Sequence, residues 1–545
     1  MSRTIASILA LMFGVLTVDE AQAQTEVGAQ ARACSALNQT YVYNTHIEQV
    51  EWREPQLLKA DPHSAMTGST PRDQQVGAHC LVHGVIEART GAGGKPYGIH
   101  FELRLPAAWN DKFLFQGGGG TDGFLAPALG SIPSQGSTAT PALIRGYAVA
   151  SQDGGHEGTD SSFAQDQQAR LDYAYASIGK VTAVAKQLIQ YFYGAPVRKS
   201  YFMGCSNGGR EAMMAAQRYP TEFDGIVAGN PGFRLAYAGV GEAWDSQQFM
   251  RVAPANTQGQ KIVANAFTQR ELDRVSRAVL DRCDGKDGLR DGLINAWERC
   301  DFRPRSIMCR AGQTQGCLST DKVAVLEAVF GGAKNSRGDR LYASWPWDAG
   351  INTAGWRAWK IGTSQSLQPN AISFTLGAAS IANYFITPGD PAFDIMKFNF
   401  DRDVEKIHQT AVINDADATF LTTFAEHGGK LVIFQGVSDP VFSANDIRDW
   451  YLQLQRDMGS KTPDFARLFM IPGMTHCGGG SGLDDIDPLT ALEQWTDQAV
   501  APAYLIGKGT LPEDTQPRSQ PICAYPRIAM YRRGDERIAA SFACR

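Results

Sequence analysis

Residues 201–209 read Tyr-Phe-Met-Gly-Cys-Ser-Asn-Gly-Gly. Aromatic and apolar residues run into Gly-x-Ser-x-Gly, and a small-residue helical pattern follows from Arg210 to Tyr219. Strand, sharp turn and helix in that order is the setting in which this motif lifts a serine hydroxyl clear of the end of a sheet. Gly204 and Gly208 leave room for the turn, and Ser206 is the candidate nucleophile. A glycine-rich turn that merely contains a serine has the same five residues, so the motif needs partners elsewhere.

Outward from this stretch, buried strands alternate with helices. Lys112–Gln116 is a short apolar strand, and Gly146–Ser151 is another. A helix is expected from about Arg170 to Tyr193, with Ile178, Val181, Val184, Leu188 and Ile189 on one face. Asp224–Gly229, Gly429–Gln435 and Arg467–Ile471 complete the series. The rhythm predicts a mostly parallel α/β sheet. Before it, Cys80–Leu105 alternates and turns at Gly91–Gly94, as a hairpin at a sheet edge does. Residues 24 to about 75 are polar and irregular, with Pro55, Pro62 and Pro71 breaking any long element. Between Pro231 and Phe398 the α/β rhythm is lost, and four of the ten cysteines fall there. That stretch is read as an inserted lid domain, 231–398, leaving 24–230 and 399–545 as the catalytic domain.

A serine nucleophile requires a base and a carboxylate to orient it. Strand 431–435 runs into Gly436-Val437-Ser438-Asp439, and strand 467–471 into Pro472-Gly473-Met474-Thr475-His476. Asp439 and His476 therefore occupy the strand ends, in the order Ser, acid, His, where such partners belong. Asp446 is the rival acid, placed further on in a helical pattern, and His427 sits at a helix end. Cys205 and Cys477 are neighbours of Ser206 and His476. If serine and histidine touch, the two cysteines come within disulfide reach.

Lys112–Gln116 ends in Gly117-Gly118-Gly119-Gly120-Thr121. No P-loop lysine follows it, so the run is better suited to presenting amides to an oxyanion than to cradling phosphate. A second loop, Asp284-Gly285-Lys286-Asp287-Gly288-Leu289-Arg290-Asp291-Gly292-Leu293, brings three carboxylates together. With the carbonyls of Leu289 and Leu293 they make an all-oxygen set suited to calcium. A solvated cluster of Asp-Gly turns is the alternative. Cys283 and Cys300 flank this loop and can close it.

Bulk properties bound the partners. The chain has 545 residues and a net charge of −5, which gives no reason to expect nucleic acid or an acidic membrane. Arg3, the apolar run Ile5–Val18 and Ala21-Gln22-Ala23 read as a signal peptide, residues 1–23. Periplasmic or secreted location follows, and ten cysteines in an exported chain point to disulfides.

Taken together, Gly117–Gly120, Gly204–Gly209, Asp439, His476-Cys477 and the Asp-Gly loop resemble the tannase/feruloyl esterase family. The resemblance implies an α/β-hydrolase core with a large inserted lid, a lid calcium on Asp284, Asp287, Leu289, Asp291 and Leu293, and oxyanion donors at the Gly120 and Asn207 amides. It implies disulfides Cys34–Cys80, Cys205–Cys477, Cys283–Cys300, Cys309–Cys317 and Cys523–Cys544. Trp359 and Phe442 match positions that pack on a substrate's ring. The activity implied is hydrolysis of small aromatic-acid esters: a terephthalate monoester, or hydroxycinnamate or gallate esters. One departure matters. The branch of the family that cleaves terephthalate monoesters holds the free carboxylate with a lid arginine, aligned near Ile372–Gly377. Here that segment has no cation, and no arginine occurs between Arg357 and Arg402. Ser373 offers only a neutral hydrogen bond. A serine peptidase and a non-catalytic protein binding aromatic ligands are the competing readings.

Overall fold

The computed structural model describes residues 28–512 and 514–545; the signal peptide expected at 1–23 lies outside them. Nine strands build one sheet. In chain order they are β1 (Thr45–Arg53), β2 (His79–Thr90), β3 (Pro96–Pro106), β4 (Lys112–Gln116), β5 (Ala148–Gln152), β6 (Lys199–Cys205), β7 (Gly225–Gly229), β8 (Lys430–Gly436) and β9 (Ala466–Ile471). Across the sheet the order is β1-β2-β3-β5-β4-β6-β7-β8-β9. β1, β2, β3 and β5 pair antiparallel. From β5 to β9 every pairing is parallel.

The parallel strands are buried along nearly their whole length, which is why they read as short apolar runs rather than as alternations. Helix Ser177–Tyr193 covers one face with Ile178, Val181, Ala185, Leu188 and Ile189. This sheet, its helices and the sharp turn after β6 are an α/β-hydrolase core.

Two expectations need correction. The hairpin β2–β3 is not the sheet edge, because β1 lies outside it. β1 falls in the stretch read as irregular. Its Thr-His-Ile-Glu-Gln-Val-Glu-Trp-Arg sequence leaves most positions part-exposed, so no apolar run announces it. The interruption of the sheet also lasts beyond Phe398. Helices Glu405–Asn414 and Thr422–Glu426 precede β8, so no strand of the sheet occurs between Gly229 and Lys430.

The cysteines form Cys34–Cys80, Cys205–Cys477, Cys283–Cys300, Cys309–Cys317 and Cys523–Cys544, and none is free. No helix of the described residues is long and apolar enough to cross a membrane.

Candidate active site

β6 ends at Cys205, and helix Asn207–Arg218 begins two residues later. Ser206 between them has φ 62° and ψ −122°, a conformation that costs a non-glycine residue about 1–3 kcal/mol and is held by its surroundings. Its amide donates to Gly229 O at 3.0 Å. The motif glycines permit the approach of strand and helix: a Cβ on Gly204 would lie 2.6 Å from Gly208 backbone atoms, and one on Gly208 would lie 2.6 Å from Gly118 O.

The ends of β8 and β9 bring the partners. His476 Nε2 lies 2.9 Å from Ser206 Oγ, and His476 Nδ1 lies 3.0 Å from Asp439 Oδ2. Asp439 is buried and fully engaged. Asn230 Nδ2 donates to Oδ2 at 2.7 Å, Gln435 Nε2 to Oδ2 at 3.1 Å, and the amide of Val441 to Oδ1 at 2.7 Å. These fixed donors hold the carboxylate in its orientation toward the imidazole. Asp446 stands elsewhere, in the first turn of helix Ala444–Met458, bonded to Arg234 at 2.8 Å. His427 caps the C-terminus of helix Thr422–Glu426. Cys205 and Cys477 are bridged with Cα atoms 6.1 Å apart, joining the residue before the serine to the residue after the histidine. Gly68 packs on this bridge; a Cβ there would meet Cys205 Cβ at 2.8 Å and Cys477 Cβ at 2.9 Å.

The glycine run folds over the start of helix Asn207–Arg218. Gly118 N donates to Glu211 Oε2 at 2.9 Å and Gly119 N to Asp122 Oδ1 at 3.1 Å. The Gly120 amide has no such partner among the described residues, and both Gly120 and Asn207 border the cavity above Ser206. Asp122 and Glu211 are buried side by side, each tied to Gln152 Nε2. Burial and their mutual repulsion raise the Asp122 pKa well above the usual carboxylate range; burial raises that of Glu211.

The cavity measures about 370 Å³. Ser206 and His476 lie in its wall together with Trp359, Phe442, Leu235, Leu376 and Phe385. The rings of Trp359 and Phe442 stand edge-on to His476, with centroids 5.5 and 5.3 Å away. Ser373 does not join them. It is buried with its hydroxyl unpartnered, and Ile372, Leu376, Gly377 and Ser380 line the wall instead. Residues 373–377 form a π-turn, whose longer repeat brings i, i+4, i+5 and i+8 to one side. Sequence reasoning missed Met66, Gln135 and Glu242, which also line the cavity.

In the acidic loop, Asp284, Asp287 and Asp291 are buried, and burial raises each to a pKa of about 6, with another of the three adding to the rise. Among the described residues no three His, Cys, Asp or Glu side chains by themselves form a metal-binding group, so a cation here would also need the backbone carbonyls. Each carboxylate accepts a loop amide. Asp291 also receives Arg518 Nη1 at 3.1 Å and Gln520 Nε2 at 2.6 Å, from strand Arg518–Cys523.

A family model described as tannase and feruloyl esterase matches residues 80–545. The chain belongs to the tannase and feruloyl esterase family. It is 38% identical to the mono(2-hydroxyethyl) terephthalate hydrolase of Piscinibacter sakaiensis, over 92% of this chain and 88% of that one. It is 27% identical to a probable feruloyl esterase of Arthroderma benhamiae, over 81% of each chain. Among solved structures, feruloyl esterase B of Aspergillus oryzae superimposes with a TM-score of 0.79 at 22% identity, covering 95% of this chain and 100% of that one. Tannin acyl hydrolase of Aspergillus niger gives 0.71 at 19% identity, covering 95% and 94%. Membership of the tannase and feruloyl esterase family makes this protein a carboxylic ester hydrolase.

Proposed function

We propose that this chain is an exported serine esterase of small aromatic-acid esters, working by two-step acyl transfer. The observation that carries the reading is the unbroken chain Ser206 Oγ, His476, Asp439 opening into an apolar cavity walled by Trp359 and Phe442. His476 takes the Ser206 proton as Oγ attacks the ester carbonyl. The Gly120 and Asn207 amides receive the developing oxyanion, each such donor being worth roughly 3–4 kcal/mol in comparable sites. Asp439 stabilises the imidazolium; the alcohol leaves with the proton held by His476. Water, deprotonated by His476, then releases the acid and restores Ser206.

Among the described residues no lysine or arginine lines the cavity, which favours uncharged hydroxycinnamate or gallate esters over a terephthalate monoester. Five disulfides are consistent with export to the periplasm or beyond. The acidic loop is proposed as a calcium site. Three buried carboxylates and the Leu289 and Leu293 carbonyls are hard oxygen donors, and among the described residues Arg518 is the one cation bonded to them. Bound there, calcium would neutralise the loop and tie it to strand Arg518–Cys523; no catalytic step passes through it.

The test compares wild type and Ser206→Ala on 4-nitrophenyl acetate, methyl ferulate and methyl gallate, with matched anilides alongside. Loss of ester turnover in the variant and stoichiometric labelling of wild type by an organophosphonate are expected. Retained turnover in Ser206→Ala, or anilides cleaved as fast as esters, would overturn the reading.

A further inference from the structure

One carboxylate in the cavity wall has no part in the chemistry above. Leu235, Ala238, Gly239 and Glu242 line the cavity, the i, i+3, i+4 and i+7 face of helix Leu235–Val252. The helix starts close to the nucleophile, since Gly232 N donates to Ser206 O at 3.1 Å. Glu242 stands two turns beyond Leu235, about 10 Å along the axis. That is the scale of an aromatic acyl group with a substituent on the far side of its ring.

Its surroundings give the carboxylate nothing to bind. A Cβ on Gly377, in the facing π-turn, would lie 2.1 Å from Glu242 Oε2, so the carboxylate rests against the bare glycine there. Lys360 is the cation that acts on it, but Lys360 is already paired with Asp245 and rests 3.9 Å from the Trp345 ring centroid. No hydrogen bond reaches Glu242 among the described residues. Burial, with Asp245 opposing Lys360, pushes its pKa up to about 8. An unpartnered carboxyl in an apolar wall is costly unless something arrives to satisfy it.

We propose that Glu242 is a specificity-determining residue: it accepts a hydrogen bond from a neutral hydroxyl or amino group on the ring of the aromatic acid, remote from the ester, and disfavours a carboxylate there. This rests on the aromatic-ester reading. A neutral donor suits Glu242 in either protonation state, because both keep an acceptor oxygen. Once pH passes about 8 and Glu242 is ionised, a ligand carboxylate would bring a second like charge into a wall that has no lysine or arginine among the described residues. A site built to bind a donor also rejects the analogue lacking it more strongly than an apolar pocket can.

The experiment measures kcat/KM for methyl 4-hydroxycinnamate, methyl cinnamate and monomethyl terephthalate in wild type, Glu242→Gln and Glu242→Leu. 4-Nitrophenyl acetate, too short to reach the far wall, reports the ester chemistry itself. In wild type the hydroxylated ester should be preferred over the unsubstituted one by about tenfold or more, and Glu242→Leu should bring that ratio to about one. Glu242→Gln keeps an acceptor and the shape, so it should retain part of the preference. Assayed at about pH 9, where Glu242 is ionised, it should also raise the terephthalate-to-cinnamate ratio at least about fivefold by removing the like charge. An unchanged hydroxyl preference in Glu242→Leu overturns the proposal. If that variant does not fold, an unchanged terephthalate ratio in Glu242→Gln overturns it instead. Wild type that cleaves 4-nitrophenyl acetate and none of the aromatic esters removes the substrate reading itself.

Discussion

Asn207 Nδ2 donates to Asp122 Oδ1 at 2.7 Å, tying the first residue of the nucleophile helix to the turn that closes the glycine run. The same Asp122 oxygen accepts the Gly119 amide, and Arg210 Nε holds Asn207 Oδ1 at 2.7 Å. The two proposed oxyanion donors, Gly120 and Asn207, thus belong to segments locked together through one buried carboxyl. Neither Asp122 nor Glu211 borders the cavity, so both act through the loop they position.

Asp122→Ala should therefore lower kcat by about a hundredfold while changing KM far less, because loss of loop register weakens binding of the transition state more than of the substrate. Asp122→Asn keeps the shape and one acceptor oxygen, and should recover most of the rate. Steady-state kinetics on 4-nitrophenyl acetate decide it. Parallel loss in Ala and Asn variants, or a rise confined to KM, would remove the positioning role.

The Cys205–Cys477 bridge joins segments 272 residues apart, next to the serine and the histidine. The double variant Cys205→Ala, Cys477→Ala should lose about 2–5 kcal/mol of stability and at least about tenfold in kcat, since Ser206 and His476 lose their covalent tether. Denaturant unfolding and kinetics on the same preparation separate the two effects. A variant that is destabilised with kcat intact would confine the bridge to a folding role.

How much of this was legible in the sequence depended on burial. β4, β6, β8 and β9 announce themselves because both their faces are covered, which leaves uninterrupted apolar runs. The strand ends then place Ser206, Asp439 and His476. β1 gave no signal, since its part-exposed surface tolerates Glu48, Gln49 and Glu51. The cavity wall was harder still. Helix Leu235–Val252 buries residues on most of its surface, so no stripe marks the side that carries Glu242. In the sequence Ser373 stands out only as a neutral donor in a segment without a cation. A π-turn changes which neighbours share a face, and that is a property of the packed lid rather than of any residue type.

Chelation tests the acidic loop. If calcium binds Asp284, Asp287 and Asp291, free ion about a hundredfold above Kd contributes about 2.7 kcal/mol. Removing it with EGTA should lower the melting temperature by a few degrees. Calcium should restore the loss and magnesium should not, because a flexible set of carboxylates and carbonyls suits the larger ion. Asp287→Asn should abolish the response. A melting temperature indifferent to EGTA, with no calcium found by elemental analysis, would leave the loop a hydrogen-bonded turn cluster.

Glu242 also makes stability depend on pH, and the sign follows from its environment. Burial holds its folded-state pKa at about 8, above the ordinary 4.5. Between those values the unfolded chain has given up the proton that the folded chain keeps, so the contribution of this group to stability falls as pH rises. It is fully present below 4.5 and lost by the time pH passes about 8. Glu242→Gln has no proton to lose. Its melting temperature relative to wild type should therefore climb from pH 5 to pH 8, whatever the other groups contribute in common. Lys360 and Asp245, the charged groups acting on Glu242, are present in both proteins and do not change the sign. A difference in melting temperature that stays flat across this range would mean that Glu242 is ionised throughout. Its carboxylate would then face the cavity as a fixed charge, and preference for neutral over anionic esters should persist without any pH dependence in that window.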